Sequence, residues 1–224
     1  MKTDYVAHDR QYQKRRAAGK LGWADAEVLA ANNVKLGATL AADYYPKSGR
    51  VLELGCGAGD LSLELAARGY TVSGVDIAPA AIEWAQDKAR ERGLTADFQV
   101  GSVLDLANYA DNTFDLVLDG YCLHCIIGED RLKFYAAAKR VLKPGGLLHI
   151  NTMWADALLD NGHLNGYDPA TRCQIWDGIA LRYFVLPEEL RAEIVAAGFE
   201  IVHSEVRPRP HENHSAMMLV DARK

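Results

Sequence analysis

The chain has 224 residues, 49% of them hydrophobic and 25% charged, with a formal net charge of -5. That is ordinary globular composition with enough apolar residues for a substantial core. Without a long Lys/Arg block it excludes a nucleic-acid binder, whose affinity comes from clustered cations. No apolar stretch approaches the roughly 18 residues a membrane-spanning helix needs, and Met1 to Tyr5 lacks the pattern of a secretory signal, so one cytoplasmic domain over 1–224 is expected.

Residues 1–23 stand outside any regular alternation and read as a cap segment. They include a helical stretch with Asp9, Tyr12 and Lys14-Arg15-Arg16, whose cations read as a solvated face. A helix is predicted over 24–44, then a strand over 50–54 that runs into Gly55, Gly57 and Gly59, and a helix over 59–68. Strands follow at 71–75, 96–100 and 114–119, with helices over 79–92 and 129–141 between and after them. Pro79 and Pro187 sit where first-turn prolines are favoured, and Gly69, Gly93 and Gly198 where helices end. A strand over 146–151, a helix over 187–197 and strands over 199–206 and 215–222 complete the order. The last two are joined by the short segment from Arg207 to His214, so they can pair antiparallel. Alternating strands and helices give an α/β doubly wound seven-stranded sheet, mostly parallel with an antiparallel last strand. Residues 154–183 are long for a loop and carry Trp154, His163, Tyr167, Trp176 and Tyr183. They read either as a lid insertion at the ligand face or as a helical insert that packs its aromatics into the core.

The stretch Val51-Leu52-Glu53-Leu54-Gly55-Cys56-Gly57-Ala58-Gly59 combines a short apolar strand, a glycine turn and a helix start. Glycines let backbone N–H groups approach a ligand, and the helix points its positive end at the same place. Asp76 ends the next predicted strand beside that turn, where a carboxylate can accept both hydroxyls of a ribose. A nucleoside cofactor follows. The dinucleotide fingerprint is G-x-G-x-x-G under a pyrophosphate; here the spacing is G-x-G-x-G with Glu53 two residues upstream, a charge that repels phosphates and suits an ammonium or sulfonium.

On these residues the chain resembles the class I S-adenosylmethionine-dependent methyltransferases, of Rossmann-like fold. Phe114-Asp115-Leu116-Val117-Leu118-Asp119 with Leu123-His124, and Arg140-Val141-Leu142-Lys143-Pro144-Gly145-Gly146, extend the resemblance to about residues 24–222. It implies S-adenosyl-L-methionine as cofactor, S-adenosyl-L-homocysteine as product and a small-molecule acceptor with an O, N or S nucleophile. Glu53, Gly55, Gly57 and Gly59 would meet the methionine part, Asp76 the ribose, and Ile77 the adenine face. Asp119 would lie near the amino group or sulfonium. Gly101-Ser102-Val103 departs from the family's usual Asp at the adenine edge, with Ser102 and Val103 bordering it instead.

His124, His211 and His214 are the candidate catalytic residues facing the acceptor, because all three fall on the ligand side of the sheet. Tyr12 and Trp23 can close over the cofactor or belong to the core. Cys122 and Cys125 form a C-x-x-C pair open to redox, metal or pocket-lining roles. The three histidines could hold a metal, but four ligands for a closed zinc site are lacking. The readings that remain beside methyl transfer are a nicotinamide-dependent oxidoreductase and a non-catalytic cofactor sensor.

Overall fold

The computed structural model describes residues 1–156, 164–208 and 216–224. Its elements are β1 (Lys2–Thr3), α1 (Ala7–Ala17), α2 (Ala26–Ala41), β2 (Arg50–Leu54), α3 (Asp60–Ala67), β3 (Thr71–Asp76), α4 (Pro79–Glu91) and β4 (Asp97–Val100). They continue with β5 (Phe114–Asp119), a 3-10 turn at Leu123–Cys125, α5 (Asp130–Val141), β6 (Leu142–Met153), β7 (Tyr167–Asp168), β8 (Cys173–Trp176), β9 (Ile179–Tyr183), α6 (Pro187–Ala196), β10 (Glu200–Arg207) and β11 (Met217–Arg223).

Seven strands form one sheet in the order β10-β11-β6-β5-β2-β3-β4. The pairs from β6 to β4 are parallel, and β11 runs antiparallel between β6 and β10. The apolar strands are buried on both faces because helices cover both. Leu52, Leu54, Val117, Leu148 and Ile150 pack with Phe134 and Ala138 of α5 and Leu190 and Ile194 of α6. Val51, Leu116, Leu118 and Leu147 pack on the other face with Leu36 and Leu40 of α2 and Leu65 of α3. Turn glycines are required where the chain leaves β2: Gly55, Gly57 and Gly59 have φ of 65°, 52° and 77°, the left-handed region that side chains resist.

The long segment after β6 is neither a bare loop nor a helical insert over its described part. β7, β8 and β9 make a small antiparallel sheet, and β9 pairs in parallel with β1, Lys2 opposite Ile179 and Thr3 opposite Ala180. The two segments outside the α/β alternation are thus joined to each other. The basic run is also less solvated than expected, since Arg16 pairs with Asp87 of α4 and the Arg15 Nε donates to the Gly22 carbonyl at 2.9 Å. With the Ala80 N–H donating to Asp9 at 2.8 Å, the Arg16–Asp87 pair docks α1 along α4.

Candidate active site

A cavity of about 710 Å³ opens at the carboxyl ends of β2, β3, β5 and β6, roofed by α1 and α2, where open α/β sheets bind ligands. Glu53, the glycine turn, Asp76, Ile77, Ser102, Val103 and Asp119 all line it, so the sequence-derived cofactor residues come together.

The turn is tight. A Cβ on Gly55 would lie 2.5 Å from the Cys122 Cβ, and one on Gly57 would strike the Tyr12 hydroxyl. Asp76 accepts from the Gly57 and Ala78 N–H groups, each at 2.9 Å, which fixes the β3 end against the turn. A carboxylate has about four acceptor positions, so lone pairs remain for ribose hydroxyls. Ser102 Oγ accepts from the Leu104 N–H at 3.1 Å, which leaves its own hydrogen to donate.

Glu53 is buried, and its carboxyl group accepts from the Ser62 hydroxyl and from the Ser62 N–H. Burial pushes its pKa up to about 8, the Ser62 bond offsetting only part. Asp119 caps the 3-10 turn by accepting from Cys122 N at 2.7 Å and Leu123 N at 3.0 Å, while its Oδ2 is buried without a partner. Burial again dominates and raises its pKa to about 6. Two buried carboxyl groups in one cavity, both raised in pKa by burial, suit a positively charged ligand.

His124 lies in the same cavity with Nδ1 unpartnered, and burial, then the nearby Arg182 charge, lower its pKa to about 3. It is a neutral imidazole at physiological pH. Cys122 and Cys125 are free thiols that burial holds protonated, Cys125 at about 11. Among the described residues no group of three His, Cys, Asp or Glu could hold a metal. His163, His211 and His214 lie outside the described residues.

Residues 51–146 match a family model described as a methyltransferase domain. A solved S-adenosylmethionine-dependent methyltransferase from Methanosarcina mazei superposes with a TM-score of 0.67 at 26% identity, over 81% of this chain and 95% of that one. In this domain and in its fold the chain is similar to the class I S-adenosylmethionine-dependent methyltransferases. A ubiquinone biosynthesis O-methyltransferase of Azorhizobium caulinodans is 34% identical over 158 residues, 68% of this chain and 59% of the relative. The chain therefore spans about three fifths of that curated relative's length. A Burkholderia thailandensis 1,6-didemethyltoxoflavin-N1-methyltransferase, solved with S-adenosylhomocysteine, shares the fold with a TM-score of 0.70 at 23% identity, over 97% of this chain and 85% of that one.

The cavity fits the family's cofactor: the buried Asp119 Oδ2, without a partner among the described residues, and the buried Glu53 are what an ammonium-bearing sulfonium would satisfy. Sequence reasoning missed several lining residues. His8 from α1, Arg182 from β9, His149 and Asn151 from β6 and Arg207 at the end of β10 all reach the cavity. Only the alternation of His149, Asn151 and Met153 along β6 signalled a shared face beforehand.

Proposed function

We propose that the protein transfers the methyl group of S-adenosylmethionine to a small-molecule acceptor, most readily at oxygen, as a cytoplasmic enzyme without a nucleic-acid partner. The observation that carries this reading is the cavity that joins the glycine turn to the Glu53, Asp76 and Asp119 carboxylates and continues under α2. Relatives that are ubiquinone biosynthesis O-methyltransferases favour an oxygen acceptor. Four free thiols suit a reducing compartment.

The cofactor supplies a methyl carbon already activated by a sulfonium, so the protein's share is alignment and exclusion of water. Glu53 and Asp119 are proposed to hold the cationic end, the Gly55 to Gly59 turn to supply N–H donors, and Asp76 to take the ribose hydroxyls. Ile77, Ser102 and Val103 border the adenine. Tyr12 acts as a neutral donor over Gly57, since burial and then the Asp76 charge hold its pKa well up. The cap and lid roles of 1–23 and 154–183 rest on the β1–β9 pairing and on Trp23, whose ring lies 5.2 Å from that of Tyr12. His124 would meet the acceptor through its unpartnered Nδ1 as a hydrogen-bond partner; His211 and His214 stay candidates from their sequence position alone.

The test is transfer of labelled methyl from S-adenosylmethionine to a panel of phenols, alcohols, amines and thiols. Transfer to a phenol or alcohol is expected. Tight S-adenosylhomocysteine binding with no acceptor labelled would point instead to a sensor, and tight NADH binding alone to an oxidoreductase.

A further inference from the structure

One polar cluster, which reaches the cavity through His149, is not used by the cofactor reading. His149 on β6 stands directly opposite Asp221 on β11 in the antiparallel ladder, and its Nδ1 lies 2.7 Å from Asp221 Oδ1. Asp221 is 1% exposed and His149 8%, yet His149 lines the cavity. Tyr45, just past α2, donates its hydroxyl to the same Asp221 oxygen and lies 2.6 Å from His149 Nδ1. The Tyr44 hydroxyl donates to Asp221 Oδ2 at 2.9 Å.

Counting protons settles the imidazole. A carboxylate only accepts, and the single Tyr45 hydrogen is already given to Asp221, so the contact of His149 with Asp221 requires hydrogen on Nδ1. Neutral His149 therefore keeps its lone pair on Nε2. The sheet register says where this ring stands. Glu53, Leu118, His149 and Asp221 form one row across β2, β5, β6 and β11 and share a face, the one α2 covers. His149 is thus two strands, about 10 Å, from the Glu53 backbone. That is beside the cofactor corner rather than in it.

Resting on the methyltransferase reading, we propose that His149, oriented by Asp221, is the base that takes the acceptor's proton at Nε2. The acceptor O–H bond breaks with its electron pair left on oxygen, the proton joins Nε2, and the resulting imidazolium is neutralised by Asp221. This is the division of labour of a base held in one tautomer by a buried carboxylate. His124, held to about 3, is poorly suited to the same task. The charged and titratable groups around the dyad are Tyr44 and Tyr45 beyond α2, Asp119 at the β5 end, and two residues of β10: His203, paired opposite Asp221 in the ladder with its ring 6.5 Å from that of Tyr44, and Arg207, whose charge reaches Asp221.

The test is ¹⁵N NMR of histidine-labelled protein saturated with S-adenosylhomocysteine, with the His149 ring assigned through its bonds and by His149→Gln. Calorimetry of S-adenosylhomocysteine on the same sample tests the methyltransferase reading separately. An Nδ1–H tautomer with the lone pair on Nε2 is expected, and Asp221→Asn should shift the population towards Nε2–H by at least threefold. Wild-type protein that binds S-adenosylhomocysteine but holds His149 as the Nε2–H tautomer overturns the dyad and leaves the methyltransferase reading standing. Absence of S-adenosylhomocysteine binding removes both. The wild-type spectrum decides even if Asp221→Asn does not fold.

Discussion

Glu53 and Asp221 are both buried carboxyl groups in one sheet row, yet their surroundings move them in opposite directions. Burial lifts Glu53 to about 8, which the Ser62 hydroxyl and N–H offset only in part. Burial pushes Asp221 up too, but the His149 bond and charge and the Tyr45 and Tyr44 hydroxyls hold it below the ordinary carboxylate value. A carboxylate surrounded by donors is finished structure. One left short of them is a place for a ligand's charge.

The largest effect expected from this contrast is on stability. Asp221→Ala leaves His149 and two tyrosine hydroxyls without their acceptor and should cost about 3 kcal/mol in urea unfolding, whereas Glu53→Gln should cost little or stabilise at neutral pH. Equal losses in both variants would break the comparison. Next comes the turn: Gly57→Ala forces a side chain into a φ of 52° and against Tyr12. Strain of about 2 kcal/mol should weaken S-adenosylhomocysteine roughly 30-fold by calorimetry.

Glu53→Gln should weaken the same ligand roughly tenfold, the worth of a charge-assisted hydrogen bond. The pH dependence sharpens the contrast further. Glu53 has a raised folded-state pKa, so its contribution to stability is complete below about 4.5 and is lost as pH rises through about 8. Asp221 has a lowered one, so its contribution is present above about 3.8 and is lost as pH falls. Thermal unfolding of ligand-free Glu53→Gln should lose the decline towards pH 8 and keep the one in acid. The smallest effect belongs to Ser102→Ala, about 1 kcal/mol or less in ligand affinity.

The cofactor corner was legible in the sequence because its code is local. Glu53, three glycines and Asp76 lie within 24 positions and act through turn geometry, and the strands 50–54 and 114–119 and the helix starts at Pro79 and Pro187 fall where the pattern puts them. The acceptor side was less legible because it is assembled across the chain. β1 is two residues long and finds its partner β9 177 positions later, Lys2 opposite Ile179, too short for any periodicity to show. The helix predicted to 44 stops at Ala41, which frees Tyr44 and Tyr45 to turn in towards Asp221. β6 begins at Leu142 rather than 146, although Lys143-Pro144-Gly145-Gly146 reads as a turn, because the chain end holds it in the sheet. The Gly145 N–H donates to the Lys224 carbonyl at 3.1 Å and the Lys224 N–H to the Gly146 carbonyl at 3.0 Å.

The most direct measurement is calorimetry of S-adenosylhomocysteine at pH 7 in two buffers of different ionisation enthalpy, beside NADH. Binding that releases about one proton, absent in Glu53→Gln, with NADH inert, is the expected result for a protonated Glu53 that ionises to meet an ammonium. NADH binding in its place, or S-adenosylhomocysteine binding with no proton released, would contradict a corner shaped for a cationic amino-acid tail.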